Sequence, residues 1–461
     1  MEASNRFVSL GVIFFIDQIL VAAGNWLYWL IISKITTSSE IGQATMISSL
    51  VLLITTLTQL GLEYPILKNS QSQRSQILAT GVLIQIILSL GTVPAVSYII
   101  NDVFRESSAM FDWIAISTLL FTSAAFVPRF ALLGVSRVRS ILVIDVISTA
   151  IKFVAGFVLV EIGLGALGML SAILFQYIIM SVATVAVASK TFEFKIGNIK
   201  YFAKIISEGL ANFPAKLARV LILTLSIVLL ASVGIHSSDI GVYYVALMIS
   251  TVAGSFAASI AFMVIPASMK SKTDLSSDST RLGLSLTAPI ISILVVSPKF
   301  ILSLIGSEYT SGYMILLFLS VSILPYCIVV NTISKLNNFG KSKRLVLLGA
   351  VEVSTFLLAF YFLVPHYGTL GAAIATLVAF IAASVPSLMW AQRTLIKHII
   401  SVGIALAGGI GTVYILGALV GLHPIAAIGI SACLTMTILL KLKTISSHEL
   451  LLIFKTLIKN G

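Results

Sequence analysis

The sequence predicts an all-α polytopic membrane protein of about 14 transmembrane helices: two six-helix lobes followed by an extra C-terminal helix pair. Three observations carry this. Hydrophobic residues make up 58% of the 461 residues, charged residues only 10%, and mean hydropathy is +1.09, which excludes a soluble globular core. Apolar stretches of about 20 residues, each enough to cross a ~30 Å hydrocarbon layer as helix, recur along the whole chain with short polar connections. Several segments also recur about 200 residues apart, in the same order.

Taken in order, the apolar runs predict helices near 8–33, 41–66, 76–100, 110–133, 141–161, 164–189, 203–233, 240–266, 282–304, 312–334, 345–364, 367–392, 397–420 and 424–441. The first follows Arg6 and contains "VAAG", the pattern of a cleavable signal, but continues through "NWLYWLIIS" to full spanning length, so it is read as a retained helix. Cys327 and Cys433 fall in separate apolar runs and suggest neither a disulfide framework nor a metal site.

The net charge of +12 is distributed by loop. One set of loops and tails holds Arg6, Lys68, Arg74, Arg137, Arg139, Lys190, Lys195, Lys200, Lys204, Lys270, Lys272 and Arg281. It continues with Lys335, Lys341, Lys343, Arg344, Arg393, Lys397 and four lysines from Lys441 to Lys459, whereas the opposite set holds only Lys34, Arg105 and Lys299. By the positive-inside rule both termini are cytoplasmic, the span count is even, and the chain resides in the cell membrane. The basic balance is therefore topological, and no nucleic-acid partner is expected.

"SSEIGQATM" at 38–46 opens the second predicted helix and "SSDIGVYYV" at 237–245 opens the eighth. Pro65 answers Pro266, Pro128 answers Pro325, and "GALGMLSAIL" at 165–174 answers "GTLGAAIATL" at 368–377. Four matches in register divide the chain into an N-lobe at 1–196, a C-lobe at 197–395, and an extra pair with a cytoplasmic tail at 396–461. A six-span repeat keeps its orientation, so the lobes are parallel copies enclosing a central cavity.

"SSEIGQATM…LTQLGLEYPILK", "IGVYYVALMIS…IPASMK", "IGSEYTSGYMILLFLSVSILP" and "YGTLGAAIATL" resemble the polysaccharide-type branch of the multidrug/oligosaccharidyl-lipid/polysaccharide exporter superfamily. The resemblance covers nearly the whole chain. It implies two six-helix bundles around a V-shaped cavity, an extra helix pair like that of the lipid II flippases, and a lipid-(pyro)phosphate-linked oligosaccharide as cargo. Such motifs specify helix packing more than substrate.

A charge at bilayer depth costs about 2.5–3.5 kcal/mol on insertion scales, so such residues usually face a wet interior. Glu208, Asn212, Lys216 and Arg219 share one face of the seventh predicted helix, beside Pro214. Two readings are open. Lys216 and Arg219 neutralise a substrate diphosphate, Arg bidentately and Lys as a point charge, or Lys216 pairs with Glu208 or a neighbour and holds helices together. The fifth helix carries Asp145, Ser148, Thr149 and Lys152 at helical spacing, where a substrate role for Lys152 stands beside pairing of Asp145 with Lys152, Arg137 or Arg139. The first helix puts Asp17, Val21 and Asn25 on one face. There Asp17 takes up a coupling proton or cation, or balances Lys216 or Arg219.

Glu63, Arg129 and Glu352 lie nearer the cytoplasmic ends, where snorkelling is cheap. The small-residue run 408–411, and Gly417 with Gly421, suit close helix packing. The five histidines lack metal spacing, and "FGKS" at 339–342 lacks the leading glycine and strand of a phosphate-binding loop. No catalytic residue, metal or cofactor is expected, and the chain is not read as an enzyme.

The expected function is a flippase that moves a lipid-linked oligosaccharide or polysaccharide precursor from the cytoplasmic to the outer leaflet by alternating access, using substrate supplied by glycan-assembly proteins. The alternatives are a proton- or sodium-coupled multidrug exporter of the same superfamily and, from another class, a membrane glycan polymerase or ligase. An exporter of organic cations favours an acidic or aromatic cavity and about 12 spans. Polymerases and ligases generally need a large outer loop, which this chain lacks.

Overall fold

Helix accounts for nearly every described residue of the computed structural model, and no strand occurs among them. The described residues are 20–21, 24–69, 74–106, 108–135, 137–192, 199–271, 276–338, 342–390 and 393–446; within them, the side chains of 211–212, 214–223 and 256–271 are among those left out. Two units separate by contact, Met1–Tyr244 and Val245–Gly461.

In the first unit a helix at 24–35, α1, leads into α2 (Ser38–Gln59). A capping box starts α2: the Thr37 hydroxyl accepts from the Glu40 amide at 3.3 Å, and the Glu40 carboxylate accepts from the Thr37 amide at 3.1 Å. Such a cap stabilises a helix start by about 1 kcal/mol. The sequence predicts one helix over 41–66, but the chain breaks at Leu60 (φ 50°) and Gly61 (φ 69°) and resumes as α3 (Glu63–Asn69). Close approach explains the break. A side chain on Gly61 would sit 2.5 Å from the Gly209 carbonyl oxygen, so the backbone there lies directly against α8 (Ile199–Ser232).

Between these lie α4 (Arg74–Tyr98), ending in a π-turn at Ile99–Val103, then α5 (Ala109–Gly134), α6 (Val138–Leu159) and α7 (Gly165–Ser189). Leu62, Ile66, Phe126, Leu132, Ile141 and Phe192 form a buried cluster near the basic loops. The first turns of α9 (Ser237–Ser271) belong to this unit and cross the start of α2. Here the two "SS[ED]IG" copies meet each other. A Cβ on Gly42 would overlap the Ser237 carbonyl oxygen, one on Gly241 would overlap that of Ser38, and the Ser39 and Ser237 hydroxyls hydrogen-bond at 2.9 Å.

The second unit holds α10 (Ser276–Val296), α11 (Pro298–Ser303), α12 (Tyr313–Asn338), α13 (Ser342–Met389), α14 (Arg393–Val420) and α15 (Pro424–Lys441). The extra pair α14–α15 packs on α10: Leu284, Ala288 and Ile291 share a buried cluster with Val402, Ala405 and Leu439. Arg281 closes the basic end of that contact, donating to the Thr444 carbonyl at 2.7 Å.

The internal repeat is written into the backbone. Gly165 (φ 46°, ψ −123°) and Gly368 (φ 54°, ψ −131°) occupy the same sparsely allowed conformation at matching places in "GALG" and "GTLG". Three residues on, a Cβ at Gly168 would approach the Leu159 carbonyl carbon at 3.0 Å and one at Gly371 the Leu363 carbonyl oxygen at 2.6 Å. Each glycine pair thus folds a hairpin whose second helix starts against the first.

Nine described stretches are long and apolar enough to cross a membrane, and two of them, Val138–Ser189 and Lys343–Met389, bend at these glycines into two arms each. The expected fourteen spans include segments outside the described residues. Tyr98, Trp113, Tyr361, Tyr367 and Tyr414 are exposed near helix ends that adjoin the loops poor in lysine and arginine, which is where an aromatic belt would lie.

The expected glycine packing in the extra pair is half right. A Cβ on Gly409 would collide with Thr435, whereas Gly411 and Gly417 within α14, and Gly421 just past its end, have nothing within 4 Å. Gly409→Ala is therefore expected to lower the Tm of detergent-purified protein by several degrees, and Gly417→Ala to leave it unchanged or raise it slightly through helix propensity.

A buried charged cluster as candidate functional site

α6 carries Asp145, Ser148 and Lys152 on one buried face, each at most 3% exposed. The turn between α5 and α6 centres on Arg137, so Arg129 and Asp145, eight residues to either side, come opposite each other. Arg129 grips Asp145 with both arms, Nη1 to Oδ1 and Nη2 to Oδ2 at 2.5 Å each. Asp145 therefore pairs neither with Lys152 nor with Arg137 or Arg139. Arg129 does not snorkel as its position suggested, because this carboxylate holds it within the bundle. Glu352 of α13 is likewise only 2% exposed rather than interfacial.

Two turns along α6, Lys152 finds no carboxylate among the described residues. Its Nζ donates to the Asn25 side-chain oxygen and stands 4.8 Å from the centroid of the Tyr28 ring. Both partners come from one face of α1. Tyr28 is itself fixed, donating its hydroxyl to the Met169 carbonyl of α7 at 3.3 Å and meeting Phe153 edge-on at 5.9 Å. Gly156, one turn beyond Lys152, makes room: a Cβ there would sit 2.5 Å from the Tyr28 ring.

An amide oxygen and a π-face contribute about 1–3 kcal/mol to a cation, while stripping an ammonium of water costs several. Among the described residues the cluster therefore carries one unit of incompletely compensated positive charge. It can attract an anion.

Of the residues singled out from the sequence, Asn25 and Lys152 come together, and Asp145 lies two turns away on the same buried face of α6. Glu208 is half-buried on α8, and Asn212, Lys216 and Arg219 follow on the same helix, their side chains outside the described residues. Asp17 is also outside them. Sequence reasoning missed Arg129 as the partner of Asp145 and Tyr28 as the support of Lys152. The signals were there, in the symmetry of 129 and 145 about their turn and in the i, i+3 spacing of Asn25 and Tyr28.

The profile of the family described as "Polysaccharide biosynthesis protein" matches residues 31–315, more than half of the chain. The chain belongs to that family. Its fold is that of the superfamily to which the sequence pointed. A solved structure of "Lipid II flippase MurJ, inward closed conformation" aligns with TM-score 0.75 at 14% identity, covering 93% of this chain and 98% of that one. An inward-facing multidrug resistance MATE family transporter of the MOP superfamily aligns with TM-score 0.63 at 12% identity, over 84% and 98%. A MOP superfamily transporter from Pyrococcus furiosus, described as having a binding pocket of reverse polarity, aligns with TM-score 0.55 at 12% identity, over 86% and 96%. No curated protein sequence matches this chain. The chain thus combines membership of a polysaccharide biosynthesis family with a fold that it shares with multi-pass membrane transporters.

Proposed function

We propose that this polysaccharide biosynthesis family member flips a lipid phosphate- or diphosphate-linked oligosaccharide from the cytoplasmic to the outer leaflet of the cell membrane, with both termini cytoplasmic. The polar head group crosses along the charged helix faces of an N-lobe at 1–196 and a C-lobe at 197–395, while the lipid tail stays in the bilayer. The observation that supports the reading is Lys152, a buried ammonium resting on an amide oxygen and an aromatic ring, with no carboxylate partner among the described residues to take the place of a phosphate. Lys216 and Arg219 add to this basic lining, Asn212 and Asn25 offer amides to sugar or phosphate oxygens, and Glu208 and Asp17 balance charge between cycles.

The multidrug-exporter alternative requires the same cluster to accept organic cations, which Lys152 repels. The ligase alternative finds no large outer loop to carry catalytic groups.

The test is reconstitution in vesicles with a fluorescent lipid-linked oligosaccharide, scored by protection from a membrane-impermeant quencher. Loss of a charge-assisted phosphate contact corresponds to about 10–100-fold, so Lys152→Gln is expected to slow flipping by that factor. Flipping by Lys152→Gln at the wild-type rate would remove Lys152 from the transport path, and no flipping by wild-type protein would favour the exporter.

A further inference from the structure

We propose that the second unit carries a binding site for an anionic bilayer lipid, built by Arg344, Trp390 and Lys335, and that its ligand is the phosphodiester of a glycerophospholipid of the phosphatidylglycerol kind. The site is separate from the charged cluster on α6 and stands whether or not the chain flips a lipid-linked oligosaccharide.

Three helix ends make the site. α12 ends at Asn338, α13 begins at Ser342, and its return arm closes at Trp390, whose amide donates to the Pro386 carbonyl at 3.2 Å. The Lys335 Nζ donates to the Trp390 carbonyl at 3.5 Å, satisfying an acceptor that the helix end leaves over. Over the Trp390 ring lies the Arg344 guanidinium, 5.3 Å from the centroid. A guanidinium held by its face keeps its N–H edges available, and those edges match two phosphate oxygens.

Charge sets the sign of the ligand. From 309 to 448 the sequence contains one acid, Glu352, which is 2% exposed and about 12 Å beyond Arg344 along α13 at helical rise. Among the described residues Arg344 meets no carboxylate, and the exposed Lys343 beside it in the chain adds to the positive potential. Arg281, in another basic loop, shows the contrast: Asp278 stands 3.6 Å away, and the Thr444 carbonyl accepts from it.

The apolar flanks decide that the anion is a lipid. Val346 and Leu347 are exposed within one turn of Arg344, Met389 next to Trp390 is 78% exposed, and Val385 is exposed one turn earlier. In a membrane-spanning hairpin such surfaces meet acyl chains. Trp390 alone of the four tryptophans adjoins a loop rich in lysine and arginine, and tryptophan favours the headgroup level. A soluble acidic peptide would leave the aliphatic residues without a partner, whereas one phospholipid covers both, chains on the aliphatic residues and phosphate on the guanidinium.

The experiment is quenching of Trp390 fluorescence by acyl-brominated lipids in phosphatidylcholine vesicles, with Trp26, Trp29 and Trp113 replaced by phenylalanine in the full-length chain. Should that background fail to fold, the same signal is the difference between each protein and its Trp390→Phe counterpart. Brominated phosphatidylglycerol is expected to be preferred over brominated phosphatidylcholine by at least about fivefold. Arg344→Gln is expected to remove about fivefold of that preference, and Lys190→Gln, which neutralises an exposed cation of the first unit, to leave it unchanged. Equal quenching by the two lipids with Arg344 in place would overturn the inference. Equal losses in Arg344→Gln and Lys190→Gln would do so too, because they would mark a diffuse attraction rather than a site. Displacement of the brominated lipid by soluble glycerol phosphate would assign the site to free phosphate and overturn the lipid.

Discussion

Arg129→Ala is expected to destabilise the protein by about 3–5 kcal/mol, because it leaves the Asp145 carboxylate buried without its countercharge. Asp145 is 3% exposed and both its oxygens are engaged by one guanidinium, so solvent cannot take over. Asp145→Ala should cost a similar amount by stranding Arg129, whose side chain is only 18% exposed. The informative variant is the double replacement Arg129→Met with Asp145→Leu. Removing both charges abolishes the desolvation cost together with the attraction, so stability should return towards the wild-type value. Tm in detergent across the four proteins measures the coupling. If the double variant were as unstable as the sum of the singles, the pair would not be interacting as described.

The second large effect is expected at the crossing of α2 and α9. Gly42→Ala and Gly241→Ala each place a methyl group on a backbone carbonyl of the facing helix, at Ser237 and Ser38 respectively. Backbone cannot rotate aside as a side chain can, so the helices must separate, and the Ser39–Ser237 hydrogen bond is lost with them. Either alanine is expected to lower Tm by more than Gly409→Ala, which meets mainly a threonine side chain. Folded yield and Tm in detergent check this. Wild-type stability in both variants would show that the crossing is looser than drawn.

The fold was largely legible because hydropathy reports depth. Runs of about 20 apolar residues and the repeated glycines both survive in the structure, as helices and as the bends between them. What hydropathy does not report is which way a residue points around its helix. Arg129 and Glu352 were assigned to the interface from their distance to the helix end, yet both face inward. Gly417 and Gly409 look alike in the sequence, yet only Gly409 meets a neighbouring helix. The break at Leu60 was invisible for a related reason, since it answers the approach of α8 from about 150 residues away in the chain. The candidate site was half legible: the stripe on α6 could be seen from its own spacing, but its partners on α1 and α5 are set by packing between helices.

Gly165 and Gly368 bend the two copies alike, yet the chemistry beside each bend differs. Carried across by the same offset, Asp145 corresponds to Leu348, Lys152 to Thr355, and Thr149 to the buried Glu352. The two copies therefore keep one curvature while differing in the charges placed beside it, so the same bend serves two unlike interiors.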